Sequence, residues 1–388
     1  MIERDLTPKL LQVAKQYPIV TLTGPRQSGK STLVRALFGD LPYVLLEDPD
    51  IRLLAQTDPR GFLANYPDGA IFDEVQRVPD LFSYLQGIVD QGQHTRPYIL
   101  TGSQNFLLME QIGQTLAGRT AVLRLLPFNY AEISRANPTP QSLNELIING
   151  GYPRLIDRQI DPADFFPAYI QTYLERDVRT LKGILDLSAF NRFLRLCAGR
   201  VANLLNLSAL ANDCGIAVNT VKSWLSVLEA SYVVFFLEPY HQSFNKRIMK
   251  SPKLFFYDTG LVCSLLGLRR ADLIETYYMR GSLFENWVVS DVFKHFTNRG
   301  QVPPLYFWQD KTGREIDLLV DKNGRLLPIE IKAGQTLRTD YFDQFTYWNT
   351  LTGNTPDNSY VVYGGGNQLT TSRGTYVPIA NIGKLLDS

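Results

Sequence analysis

Apolar positions in the first third of the chain fall into short runs separated by segments of helical spacing. Ile19–Thr23, Tyr43–Leu46, Ala70–Phe72, Tyr98–Leu100 and Ala121–Leu125 each read as a strand. Between most of them apolar residues recur at helical spacing, as in Leu81–Val89. Apolar strands alternating with helices predict a parallel sheet covered on both faces. The pattern changes at Asn137-Pro138-Thr139-Pro140, which reads as a boundary. Helical spacing then runs to about Leu185, broken by Gly150-Gly151-Tyr152-Pro153. Ser188–Asp258 reads as three helices and two strands, and from Gly281 a helix leads into several strands. The expected units are residues 1–136, a helical connector 137–187, then 188–262 and 275–388.

The first strand ends in Gly24-Pro25-Arg26-Gln27-Ser28-Gly29-Lys30-Ser31, followed by Thr32, which fits the phosphate-loop pattern GxxxxGK[ST]. Glycines let backbone amides wrap phosphate oxygens, and the free N–H groups of the helix that follows favour an anion. Lys30 suits the β- and γ-phosphates, and Ser31 suits magnesium. The third strand ends in Asp73-Glu74, so Asp73 suits the same metal and Glu74 suits polarising an attacking water. Ser103, at the end of the fourth strand, suits sensing a γ-phosphate or orienting water, although Gly102-Ser103 also reads as a plain turn. Arg119 suits stabilising transition-state charge in its own site or a neighbour's, and reads equally as a surface arginine. Arg26 is open in the same way.

In the middle of the chain, Ser208 reads as the N-cap of a short helix, Asp213-Cys214-Gly215 as a turn, and Asn219–Ala230 as a second helix. Tyr232–Leu237 and Leu254–Tyr257 read as the strands of a wing, completing a helix-turn-helix pattern. Lys246, Arg247, Lys250 and Lys253 form a basic patch suited to DNA phosphates or to solvent. Lys222 is the one cation of the second helix.

Near the C-terminus, two alternating segments, Arg314–Asp321 and Arg325–Lys332, flank Asn323-Gly324, the favoured two-residue hairpin turn. Pairing Lys322 with Arg325 places Asp317 opposite Glu330 and Glu315 opposite Lys332. One face then carries Ile316, Leu318, Val320, Leu327, Ile329 and Ile331. The other collects carboxylates that need a positive partner, either Lys332 or a magnesium ion. Asp317, Glu330 and Lys332 have the Asp…Glu-x-Lys layout of metal-dependent nucleases, and Glu285 on the preceding helix suits a third carboxylate. A solvated hairpin face with a Glu315–Lys332 pair is the simpler alternative.

Composition narrows this picture without redirecting it. A formal net charge of +1 supplies no global pull toward DNA or a membrane, so nucleic-acid contact needs a local patch. Cys197, Cys214 and Cys263 are too scattered for a disulfide framework or a zinc site, and three dispersed histidines argue against a histidine metal site. No signal peptide and no bilayer-length apolar run is legible, so a cytoplasmic location with no membrane partner is expected.

These features together resemble a family of bacterial and archaeal AAA-superfamily ATPases that joins an N-terminal phosphate-loop domain to a C-terminal domain of unknown function. The marks are Gly24–Ser31, Phe72-Asp73-Glu74, Leu100–Ser103, Leu116–Arg119, Gly150–Pro153, Tyr173–Asp177, the helix-turn-helix, Asp258–Leu261 and Glu315–Lys332. The resemblance implies an α/β P-loop NTPase (AAA-type) sheet, a winged-helix domain and a restriction-endonuclease-like α/β domain. The expected activity is magnesium-dependent ATP hydrolysis coupled to DNA binding or processing. The alternative is a nucleotide-controlled DNA- or protein-binding switch whose nuclease-like domain does not cut. Arg119 as a possible finger motivates a homo-oligomer.

Overall fold

The computed structural model describes residues 2–92, 96–103, 115–137, 139, 141–174, 186–240 and 251–387. The first sheet is parallel and holds β1 (Ile19–Thr23), β2 (Tyr43–Leu45), β3 (Ile71–Asp73), β4 (Tyr98–Gly102) and β5 (Thr120–Arg124) in the order β2-β3-β4-β1-β5. β1 and β4 are buried along their whole length, as central strands of a covered sheet require. Their side chains feed two cores on opposite faces. Phe62, Phe72, Phe82 and Tyr98 lie in one, and Leu10, Leu22, Leu33 and Val34 in the other.

The second sheet holds eight strands: β6 (Val234–Pro239), β7 (Lys253–Phe256), β8 (Leu305–Gln309), β9 (Glu315–Lys322), β10 (Arg325–Lys332), β11 (Tyr360–Tyr363), β12 (Leu369–Thr371) and β13 (Gly374–Pro378). Their order is β12-β13-β11-β10-β9-β8-β6-β7. The two strands expected to form a wing pair with each other, and β6 also pairs parallel with β8. They are therefore the edge of the large sheet. One core, running from Leu126 to Leu386, joins the helical middle to this sheet across residues 187 and 262–275. The first helix of the helix-turn-helix pattern starts earlier than expected, at Leu207, because Asn206 rather than Ser208 accepts the capping bond from the Ala209 amide. Gly215 ends it in the left-handed conformation, and the second helix is Val218–Ala230.

The β9–β10 hairpin has the expected register from Arg325–Lys322 to Ile329–Leu318, with Asn323 and Gly324 both at positive φ. One residue was misplaced. Ile316 lies in the core with Trp308 and Leu319, whereas Leu318 and Val320 pack on the opposite side. Pairing with β8 slips between Tyr306 and Trp308, so Asp317 and Leu318 together face Phe307. This bulge interrupts the alternation on which the face assignment rested.

Among the described residues no helix is long and apolar enough to cross a membrane. Cys197, Cys214 and Cys263 are buried free thiols.

Candidate functional site

The phosphate loop leaves β1 at Gly24, where a Cβ would stand 2.1 Å from the Leu125 carbonyl oxygen. Gly29, at φ +93, caps the helix Lys30–Leu37 in a conformation that side chains avoid. Lys30 is 6% exposed, and its ammonium donates to the Gly24 and Pro25 carbonyls at 2.9 and 2.8 Å. Gln27 Oε1 and Ser28 Oγ are buried without hydrogen-bond partners. Buried polar atoms of that kind are costly unless something completes them; a polyphosphate oxygen has the chemistry to accept from the Ser28 hydroxyl, whereas the Gln27 amide oxygen, itself an acceptor, needs a donor or a cation.

Asp73 is 2% exposed and accepts from the Glu74 amide at 3.1 Å, from Thr101, and from the Tyr43 phenol at 2.5 Å. The phenol also takes a hydrogen bond from Ser31, and burial followed by Asp73 raises its pKa. Tyr43 thus bridges the two residues expected to hold magnesium. Glu74 occupies the left-handed region at φ 57, and its carboxylate accepts from Gln76 and from Ser103 Oγ at 3.2 Å. Bulky residues hold that conformation only where their surroundings impose it. Arg119 lies elsewhere: it is one-third exposed and forms a fork with Asp90 at 2.6 and 2.9 Å.

A cavity of about 700 Å³ opens over the loop, lined by Arg26, Gln27, Gly29–Thr32 and Glu74. Part of its wall comes from beyond the first sheet, including Ile2, Arg4, Phe128, Pro153, Arg154 and Tyr173. Sequence reasoning gave none of these residues a role in the site, nor Tyr43, although Pro153 and Tyr173 lie within segments that carry the resemblance. Arg4 is 4% exposed and stacks over Phe128 at 4.6 Å. It donates to the Ser28 carbonyl at 2.8 Å, to the Leu126 carbonyl at 2.6 Å and to Glu132 Oε1 at 2.9 Å. Glu132 also takes the Asp5 and Asn129 amides. The loop is therefore braced by a buried ion pair from a residue near the N-terminus.

Four contacts tie this site to the rest of the molecule. Thr23, the last residue of β1, shares a 2.6 Å hydrogen bond with the Tyr232 hydroxyl. Lys294, on the helix Arg280–Thr297, donates to the Phe128 carbonyl at 3.1 Å. Asp258 accepts from the Gly151 amide at 2.7 Å, and Asp291 from the Tyr130 amide at 2.6 Å. Burial pushes the Asp291 carboxyl up to about 6 and raises Asp258, and it lowers the pKa of Lys294.

The same Arg280–Thr297 helix carries Glu285 into a second polar site. Glu285, Glu315 and Asp317 each offer a carboxylate oxygen within 4.8 Å of the others. Glu330 stands outside this trio, with Oε1 bonded to Lys332 at 2.5 Å and Oε2 buried without a partner. Burial, reinforced by Asp317, pushes its carboxyl up to about 8. Lys332 also reaches Asp317 at 3.8 Å. The Glu315–Lys332 pair of the simpler alternative does not form. Glu315 pairs instead with Lys253, which also holds Glu285 at 2.8 Å. Lys253, expected in the basic patch, is 3% exposed and belongs to this buried cluster. Lys246, Arg247 and Lys250 lie outside the described residues, as do Glu175–Asp177.

Residues 16–134 match the family model described as an AAA domain. Residues 140–272 and 280–382 match two models described as domains of unknown function, DUF8612 and DUF4143. An uncharacterized protein of Mycobacterium tuberculosis is 30% identical over 338 residues, covering 86% of this chain and 74% of that protein. An uncharacterized protein of Methanocaldococcus jannaschii is 22% identical over 369 residues, covering 87% and 79%. Among solved structures, the Walker-type ATPase of Pyrococcus abyssi aligns with a TM-score of 0.45 at 17% identity, covering 68% of this chain and 96% of that one.

Proposed function

Since the chain belongs to the same family as the Mycobacterium tuberculosis protein and carries an AAA domain, we propose that it hydrolyses ATP with magnesium and uses the nucleotide state to control a DNA-directed C-terminal site. The phosphate loop Gly24–Thr32 cradles the polyphosphate, and Lys30 leaves its loop carbonyls for the β- and γ-phosphates. Magnesium, once bound, neutralises phosphate charge. Ser31 and Asp73 would hold it. Glu74, kept in place by Ser103 and Gln76, orients the attacking water and takes up its proton. One observation carries this reading: Ser31, Tyr43 and Asp73 form a connected set under the loop, with Glu74 on the cavity wall.

The test is ATP turnover with and without duplex DNA. Lys30→Ala is expected to weaken nucleotide binding, and Glu74→Gln to keep binding while slowing turnover by about 100-fold or more, since it removes a general base. Equal turnover in Glu74→Gln would remove Glu74 from this role. Arg119 is exposed enough to reach a neighbouring protomer's site, so a homo-oligomer fits the proposal, as does a cytoplasmic setting.

At the C-terminal site, Asp317 and Glu330 would hold a divalent ion and Lys332 would assist the nucleophile in DNA cleavage. The unpartnered Glu330 oxygen supports a cation there. The second reading, a nucleotide-controlled switch whose nuclease-like domain does not cut, is favoured by Lys253, whose ammonium already neutralises part of the cluster. Plasmid incubated with ATP and magnesium separates the two. Cleavage lost in Lys332→Ala supports the first reading, and an uncut plasmid with ATP-dependent DNA affinity supports the second.

A further inference from the structure

Lys253 heads the apolar strand Lys253-Leu254-Phe255-Phe256 and is buried at every one of these positions. Its ammonium pairs with Glu285 at 2.8 Å and with Glu315, and it sits 5.6 Å from the centre of the Phe307 ring. Burial opposes its charge, but Glu285, Asp317 and Glu315 together hold its pKa above the usual lysine range. It is thus a fixed cation inside the carboxylate trio.

Fully ionised, the four carboxylates Glu285, Glu315, Asp317 and Glu330 and the two ammonium groups of Lys253 and Lys332 carry a formal charge of −2 in a largely buried site, and burial opposes that charge by raising the Glu285 and Glu330 carboxyls to about 8. Charges in such surroundings are held only when paired. The remaining demand is located by an independent observation. Glu330 is 4% exposed, and its Oε2 has no partner. Each side has one ammonium, Lys253 for Glu285 and Glu315 and Lys332 for Asp317 and Glu330, but of the four carboxylates only Glu330 keeps a buried oxygen without a partner.

We propose that Lys253 is a built-in substitute for a second metal ion, limiting the C-terminal site to one divalent cation on Asp317 and Glu330. This rests on the reading above that those carboxylates hold a metal. Lys253 acts through Glu285 and Glu315 and is a positioning residue. Two-metal phosphodiesterases hold their ions about 3.5–4 Å apart, and here the second position is filled by an amine. Removing that amine takes the formal charge from −2 to −3 and frees Glu285 and Glu315 as ligands.

The experiment is Mn²⁺ binding to the full-length, nucleotide-free protein, counted by the electron paramagnetic resonance of free Mn²⁺. Lys253→Met is compared with the wild type, Lys253→Arg and Glu330→Gln. The expected result is one additional Mn²⁺ per chain in Lys253→Met, wild-type stoichiometry in Lys253→Arg, and one fewer in Glu330→Gln. Lys253→Gln removes the charge while keeping a donor for Glu285, and it carries the same expectation should Lys253→Met not fold. A folded neutral variant that binds no more Mn²⁺ than the wild type overturns the assignment of Lys253. Unchanged binding in Glu330→Gln overturns the metal reading of Asp317–Glu330 instead, so the two failures are told apart.

Discussion

The Tyr43 phenol donates to Asp73 Oδ2 across 2.5 Å while accepting from Ser31, so one hydroxyl joins the two side chains suited to magnesium. Tyr43 comes from β2, the edge strand, and Asp73 from its neighbour β3. The sheet itself sets the contact. Hydrogen bonds to ionised groups contribute roughly 1.5–3 kcal/mol. Tyr43→Phe is therefore expected to raise the magnesium concentration needed for half-maximal ATP turnover by about tenfold, which corresponds to about 1.4 kcal/mol. ATP binding measured without magnesium should stay within about twofold, a difference of under roughly 0.5 kcal/mol. A magnesium titration of turnover in both proteins decides it.

Arg4 holds the phosphate loop through the Ser28 carbonyl while paired with Glu132, which is fully buried. Arg4→Ala strands that carboxylate, and breaking a buried pair by removing one partner costs about 3–5 kcal/mol. The expected outcome is a lowered melting temperature together with weaker ATP binding. Arg4→Lys should recover little of either, because one ammonium cannot span three acceptors fixed by a planar fork. Scanning calorimetry with and without ATP measures both effects.

These two residues show where the sequence stops being legible. The phosphate loop and Asp73-Glu74 are readable because their geometry is local: a strand end, glycines at positive φ and a helix start within a few residues. The hairpin register is readable for the same reason, since Asn323-Gly324 dictates it. Arg4 reaches Glu132 across 128 positions and Tyr43 reaches Asp73 across 30, and no local pattern encodes either pairing. Ile316 was misplaced because the bulge opposite Phe307 arises from a third strand, outside the hairpin. Lys253 did leave a signal, a lone cation directly before Leu254-Phe255-Phe256, but counting it with nearby basic residues hid it.

Asp291 gives a pH dependence with a defined sign. Burial pushes its carboxyl up to about 6 from an ordinary value of 3.8, with Lys294 opposing and Glu132 and Asp5 adding to the rise. The folded state then binds a proton that the unfolded chain has released across that window. Stability is lost as pH rises from about 4 to about 6 and stays lost above it. Asp291→Asn preserves the acceptor for the Tyr130 amide and removes the titration. Relative to this variant, the wild type is expected to lose melting temperature between pH 4 and 6 and to run parallel above pH 7. Parallel curves throughout would mean that Asp291 titrates normally.

Tyr232 sits at φ 56, a conformation unusual for a bulky side chain, in the turn between the helix Val218–Ala230 and β6. Its hydroxyl meets Thr23, one residue before the phosphate loop, and Thr23 keeps a second bond to the Leu123 carbonyl at 3.3 Å. Removing the phenolic oxygen therefore leaves Thr23 bonded, so Tyr232→Phe should cost only about 0.5–1.5 kcal/mol of stability, the range for a neutral hydrogen bond. Its effect on communication should be larger. β6 continues into the sheet that carries the Asp317 site, and Tyr232 is the side chain that joins the root of the nucleotide loop to that strand. If nucleotide state passes along this contact, Tyr232→Phe and Thr23→Val should each reduce the difference in DNA affinity between the ATP and ADP states. The double variant should reduce it no further than Thr23→Val alone, because Thr23→Val already removes the bond to Tyr232 together with the bond to Leu123. An undiminished ATP–ADP difference in all three variants would show that coupling does not pass along this contact.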